Sequence, residues 1–517
     1  MNTNLKHDIG QLLVIGYHGL EPSSDFLKFI EEWKVGGVIF FARNIDDPTR
    51  IPGIVNRLES AAGGPLFTAV DQEGGLVLRI LSGGSLFPGA MAQAAAGDND
   101  LIRRVHKAMA AEMRALRLNW NLAPVLDINH RDNPGIGARS FGDSPEIVAE
   151  RGRAAIEGLR SGGVLACAKH FPGKGHARVD SHLKLPTIPF AREHLFSHEL
   201  VPFKAAISAD VDAIMTAHVF FPAIEPQSDL PGTLSRAVLT DLLRTELGFS
   251  GLLITDDLEM GAITETFGVP DAARRAFLAG ADLLLVCHNL ELQREAAETI
   301  ASEIGNSPTA RDRLTESLAR IKSARNRLVA CPSSLSIREL FERHKPLIEE
   351  AHARAILFTP GSDGGRRFSF DSETSFQALC PEISTLVPVE ENQIGEGLAA
   401  LVKSRFPRAS AFTYAPKDAA DRILATLPAG GDPEEPLLIM SYNAHLLAGQ
   451  REAFEKLTRI RPQTVLAAIR NPYDLTAIPG ASVGVACFGF RTPSIMALFD
   501  ALEGRIPART GPWPVRI

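Results

Sequence analysis

The stretch GLLITDD, Gly251–Asp257, sets the reading of the fold. Three apolar residues and a threonine run into two aspartates with no glycine or proline between them. A short run with no polar alternation is a strand buried on both faces, the pattern of parallel sheets. Its carboxylates then emerge at the strand's C-terminal tip. Seven other runs share the pattern: QLLVIGY from Gln11, GGVIFFA from Gly36, LFTAVD from Leu66, NWNLAPVLDI from Asn119, GVLACAKHF from Gly163, DAIMTAHV from Asp212 and DLLLVCHN from Asp282. Amphipathic stretches such as SSDFLKFIEEWK and DAARRAFLAG lie between them. Eight such units predict a TIM (β/α)8-like barrel. Seven of the eight tips carry polar groups: Arg43-Asn44, Asp71-Gln72-Glu73, Asp127, Lys169-His170, His218, Asp256-Asp257 and His288-Asn289. In a closed barrel all of them converge on one mouth.

Beyond about Ala324 the pattern changes. RNRLVACPSSLSIRELFERHKP reads as a final helix, a Pro/Ser break and a second helix. A new strand–helix alternation follows, with apolar runs AILFT, FQALCP, STLVPV, AFTYA, LLIMSYN, VLAAIRN and SVGVACFGF. These predict an open α/β sheet of five to six strands. The expected division is a barrel over 1–335, a linker helix region over 336–350 and a smaller α/β domain over 351–517. The tail LEGRIPARTGPWPVRI reads as extended along the surface.

Composition narrows the class of partner. The chain has 517 residues, 45% hydrophobic and 22% charged, with a net charge of −7. This is a globular profile, and its acidic balance gives no footing for nucleic acid or an anionic membrane. There is no apolar run long enough to span a bilayer. The run Leu12–Ile15 is too short for a signal-peptide core, so the expected location is the cytoplasm. Cys167, Cys287, Cys331, Cys380 and Cys487 are scattered and read as reduced, buried side chains.

The chemistry concentrates in AKHFPGKGHARVDSH, Ala168–His182, which carries three histidines, two lysines, one arginine and one aspartate. No helix or strand favours that composition. Asp180 and His182 lie two apart, so in extended chain they share a side, and the carboxylate fixes the imidazole tautomer. Asp256 at its strand tip suits a nucleophile or cation stabiliser, while Asp257 is expected to point away and cap the next helix. Asp71, Arg79 beyond a double glycine, and Arg139 supply acceptors and fork-shaped donors. A barrel mouth with two carboxylates, guanidinium groups, no metal-ligand set and no cofactor motif points to acid/base chemistry on a polyhydroxylated substrate.

The motifs DQEGG, NLAPVLDIN, ARSFG, KHFPGKGHARVDSHLKLP and ITDDLEMGAI, in this order between about Gly10 and Ile263, resemble glycoside hydrolase family 3. They look most like its β-N-acetylhexosaminidase branch. The resemblance implies a retaining two-step hydrolysis of terminal N-acetylglucosamine, on cell-wall or amino-sugar fragments, without a cofactor. It implies Asp256 as nucleophile, His182 as acid/base and Asp180 as its orienting partner. It places Asp71, Arg79, Arg139, Lys169 and His170 at sugar-binding positions, and it implies an αβα sandwich as second domain, with RNPYDL as its echo. A histidine acid/base departs from the usual carboxylate pair, and its lower negative charge admits phosphate as a competing acceptor. Phosphorolysis and a β-glucosidase specificity are therefore the alternatives. A non-catalytic sugar-binding protein would have lost Asp256 or His182, and both are present.

Two departures stand out. The family's FPGHGDT is FPGKGHA here, bringing Lys174 and His176 toward Asp180. Its DQEGGRVQR is DQEGGLVLR, putting Leu76 and Leu78 where an entrance or subsite is expected.

Overall fold

The computed structural model describes residues 3–178, 181, 184–328, 335–360, 370–391, 397–428 and 432–517. The first half is the expected barrel. Its eight parallel strands are β1 Leu13–Ile15, β2 Gly37–Phe40, β3 Phe67–Val70, β4 Trp120–Asn121, β5 Leu165–Phe171, β6 Ala213–Thr216, β7 Leu252–Ile254 and β8 Leu284–Val286. They are ordered β7-β6-β5-β4-β3-β2-β1-β8. A single parallel bridge, Ile254↔Leu283, draws β7 and β8 together, so the sheet is nearly closed. Every strand residue is buried, as the unbroken apolar runs require.

The helices follow from local chemistry. The Ser23 hydroxyl accepts the Phe26 N–H at 3.2 Å and starts the helix Ser24–Trp33, which turns Phe26, Phe29, Ile30 and Trp33 onto the barrel. Asn289 caps the helix Leu290–Asn306 directly after β8. No helix among the described residues is long and apolar enough to cross a membrane.

Among the described residues the second sheet has six strands: β9 Leu357–Phe358, β10 Gln377–Pro381, β11 Ser410–Tyr414, β12 Leu437–Ser441, β13 Thr464–Ala468 and β14 Val483–Ala486. Their order is β11-β10-β12-β13-β14-β9, with only β9 antiparallel. STLVPV, Ser384–Val389, is not one of them. It is an irregular loop whose turn falls at Pro388, consistent with proline's missing N–H and fixed φ.

Barrel and sheet share apolar surface. Leu76, Val77, Met91 and Ala92 belong to the same core cluster as Phe358, Phe490 and Phe499. Leu76 and Leu78, expected at an entrance, are 3% and 0% exposed, and Leu76 packs under the second domain. The helix Ile337–Ala355, opened by a Ser336/Glu339 capping box, runs between the two units. Its His344 Nδ1 lies 2.8 Å from Glu112 on the barrel, and His352 bridges Leu86 O and Ser494. The tail is more than a surface strand. Pro514 O accepts the Asp143 N–H at 3.2 Å, Arg509 O accepts the Phe358 N–H at 2.7 Å, and Val515 is buried. It straps the second domain to the barrel.

Candidate active site

The strand tips enclose a cavity of about 400 Å3 at the barrel mouth. Asp71, Arg79, Arg139, Lys169, His170 and Asp256 all line it, as do Lys174, Asp257 and His288. Asp180 and His182 lie outside the described residues. Phe41 and Arg43 build one wall, with the Arg43 guanidinium 4.2 Å from the Phe41 ring centroid and donating to Tyr17 O and Cys287 O.

Alternating charges hold one side of the cavity. Lys169 Nζ lies 2.7 Å from both Asp71 Oδ1 and Glu73 Oε1. Arg139 grips Glu73 with two parallel bonds of 2.8 Å. Arg79 Nη2 reaches Asp71 Oδ2 at 3.3 Å. Glu73 is therefore a buried hub beneath the cavity floor, and Asp71 is the acceptor presented to a ligand. Burial alone would raise the Glu73 pKa; the Arg139 and Lys169 charges outweigh it and hold the carboxyl at about 2. Burial likewise opposes the charge on Lys169, and Asp71 and Glu73 overcome it.

Glu73→Gln leaves two buried cations short of a counterion, so it should cost about 3–5 kcal/mol in urea unfolding. Glu73 is depressed in the fold, so its contribution is present above the ordinary carboxyl pKa and lost as pH falls toward 2. The variant should accordingly lose part of the wild type's acid sensitivity in that window; an unchanged unfolding midpoint and acid profile would contradict the hub role.

A second line of groups runs to Asp256. Asp127 is fully buried, accepts the Lys174 N–H at 2.7 Å, and pairs with His170 Nδ1 at 2.7 Å. Burial pushes its carboxyl up to about 6, against the Lys174 charge and backbone N–H groups. With Nδ1 held, His170 turns Nε2 toward Asp256 Oδ2, 3.9 Å away. Lys174 Nζ stands 3.6 Å from the same oxygen. Asp256 Oδ1 accepts the Asp257 N–H at 2.9 Å. Its side chain is 15% exposed, so one face of the carboxylate meets the cavity between two nitrogen donors. That geometry keeps an anion poised for attack or for stabilising a developing cation.

One expectation is corrected here, and the two residues of the departing motif are placed. Asp257 caps no helix. The strand ends at Ile254, its alternation lapses, and Asp257 faces the same cavity, with Oδ2 at 3.2 Å from His288 Nε2 and Oδ1 accepting the Cys287 and Glu259 N–H groups. Lys174 is buried and faces Asp256. His176 turns away from the cavity toward Glu199.

No local pattern in the chain announces the roof. The loop that carries Pro388, Val389 and Glu391 arrives from the second domain. Arg79 Nη1 donates to Val389 O at 2.9 Å and to Glu391 Oε1 at 2.6 Å. Arg491 donates to Gly75 O and Glu391 O, fixing the loop to the double-glycine turn.

The chain is similar to several known proteins. Residues 4–324 match the family described as Glycosyl hydrolase family 3 N terminal domain. A beta-hexosaminidase from Alkalilimnicola ehrlichii is 38% identical over 285 residues, covering 54% of this chain and 81% of that one. One from Tolumonas auensis is 37% identical over 302 residues, covering 58% and 88%. The structure of a glycoside hydrolase family 3 beta-N-acetylglucosaminidase from Paenibacillus sp. str. FPU-7 superposes with a TM-score of 0.88 at 36% identity, covering 99% of this chain and 98% of that one. A beta-glucoside phosphorylase, BglX, shares the fold with a TM-score of 0.81 at 21% identity, covering 99% and 94%. The chain belongs to glycosyl hydrolase family 3.

Proposed function

We propose that this chain is a retaining exo-glycosidase that releases terminal β-linked N-acetylglucosamine, acting in the cytoplasm on amino-sugar or cell-wall fragments. The observation that carries the reading is Asp256, a carboxylate held open to the cavity between His170 and Lys174 and facing the Asp71–Lys169–Arg79 clamp. The names of the relatives supply the sugar. Four cysteines, Cys167, Cys287, Cys380 and Cys487, are buried and unpaired, which suits a reducing compartment.

The mechanism follows from the groups present. Asp71, Arg79, Arg139 and Lys169 hold the sugar hydroxyls. Asp256 Oδ attacks the anomeric carbon, and the bond to the leaving oxygen breaks as His182 gives that oxygen a proton. Water, deprotonated by His182, then attacks the same carbon and releases Asp256. His170 and Lys174 stabilise the Asp256 carboxylate in its free state, and Asp180 fixes the tautomer of His182.

An aryl glycoside panel tests the reading. Turnover of the aryl N-acetylglucosaminide should exceed that of the aryl glucoside, with free sugar as product whether or not phosphate is added. A sugar 1-phosphate formed in proportion to phosphate would assign phosphorolysis instead, and preference for the glucoside would assign the other specificity. A further expectation concerns the roof: Glu391→Gln loosens Arg79 and should lower kcat/KM about tenfold, mostly through KM, the scale of one charge-assisted hydrogen bond. Unchanged KM would take the second domain out of the binding site.

A further inference from the structure

Beside the catalytic mouth lies a cluster that the proposed reaction does not use. His176, on the loop after β5, faces His198 and Glu199, which precede the helix Val201–Ser208. One ligand atom from each of the three falls within 4.8 Å of the others. Two more imidazoles flank them: His130 with its ring 4.7 Å from that of His176, and His194 with its ring 5.0 Å from that of His198. Phe190 stands edge-on to His176 at 4.8 Å.

The polar bookkeeping is anomalous. Glu199 is 0% exposed, yet both of its carboxylate oxygens lack a hydrogen-bond partner among the described residues. His176 Nδ1 is also buried without one. These two groups nevertheless meet, Nδ1 and Oε1 lying 2.7 Å apart in a geometry that makes no hydrogen bond. A buried carboxylate that neither accepts a proton nor bonds an N–H is costly unless a cation sits against it. Gly173 leaves room for it: a Cβ there would come within 2.8 Å of Glu199 Oε2.

We propose that His176, His198 and Glu199 bind a divalent transition-metal ion of the zinc class. Two imidazoles and one carboxylate are borderline ligands that suit Zn2+, and His194, His130 or water supplies the fourth position. A tetrahedral centre separates its ligand atoms by about 3.3 Å, so the His176–Glu199 pair opens slightly on binding. The apolar Phe190 ring and flanking imidazoles provide the surroundings that such sites use to hold ligands in place. The ion pins the loop of Lys174 and His176 to the segment at Glu199. Its consequence for catalysis rests on the proposed role of His182, six positions beyond His176; its existence does not. No local spacing in the sequence announces this set, since His176 and Glu199 are far apart in the chain.

The test uses untagged full-length protein grown with zinc, desalted and assayed for metal by mass spectrometry. Wild type should carry close to one zinc per chain and, after chelation, take up Co2+ with the intense visible bands of a tetrahedral site. His198→Asn and Glu199→Gln should lose both signals, while Asp256→Asn keeps them, separating this site from the catalytic cavity. Melting of wild type should rise on adding ZnCl2 to the chelated protein, a readout that needs no variant to fold. Metal-free wild type with no Co2+ bands and no ZnCl2 shift would overturn the proposal, as would full zinc in His198→Asn. An active wild type that binds no metal would refute this site alone; metal bound by an inactive wild type would refute the glycosidase reading alone.

Discussion

Asp256→Asn should leave the barrel folded and lower turnover of an aryl N-acetylglucosaminide by on the order of 10^4-fold or more, the scale seen when a catalytic nucleophile is removed. The amide is nearly isosteric, and its oxygen still accepts the Asp257 N–H now bonded at 2.9 Å. What disappears is the negative charge and nucleophilicity between His170 and Lys174. Thermal melting by circular dichroism should therefore stay close to wild type while kcat collapses. Residual activity within about tenfold of wild type would remove Asp256 from the bond-making step.

The second large effect should come from His182→Ala. If the imidazole protonates the leaving oxygen, substrates with poor leaving groups lose about 10^2–10^4-fold in kcat/KM, whereas an activated nitrophenyl glycoside, which needs little proton assistance, loses far less. Asp180→Asn should give the same pattern more mildly, because the imidazole stays but its tautomer is released. Equal losses across the leaving-group series would leave His182 as a binding group only.

The barrel was legible because strands buried on both faces cannot alternate, and because polar groups gather where those strands end. Asp71, Lys169, His170 and Asp256 could be placed in one cavity on that ground alone. Other features depend on contacts that local patterns do not encode. STLVPV is apolar enough for a strand, but it turns at Pro388 and spends its carbonyl and its neighbour Glu391 on Arg79, 312 positions earlier in the chain. Glu73 looked like part of a strand-tip run, and only the fold makes it the anion shared by Arg139 and Lys169. Asp257 defeated the alternation argument because β7 had already ended. Lys174 and His176, two positions apart in one short motif, face opposite partners across the loop, Asp256 and Glu199. Gly175 shows how tightly that loop is held: a Cβ there would sit 1.6 Å from Ile128 O.

This gives the motif departure two separable meanings. Lys174 adds a cation 3.6 Å from the Asp256 carboxylate. His176 acts on the other side of the loop, at Glu199. Exchanging Lys174 for His should therefore change kcat/KM without disturbing metal content, whereas exchanging His176 for Asp should remove the metal.

In the proposed mechanism Asp256 forms a covalent bond to the sugar. Incubating wild type with a slow fluorinated N-acetylglucosaminide that has a good leaving group, then digesting and sequencing the peptides by mass spectrometry, tests it most directly. One added glycosyl mass is expected, located on Asp256 and absent from the Asp256→Asn protein. A label on Asp257, or complete turnover of the reagent with no labelled peptide and an inverted anomer as first product, would contradict it.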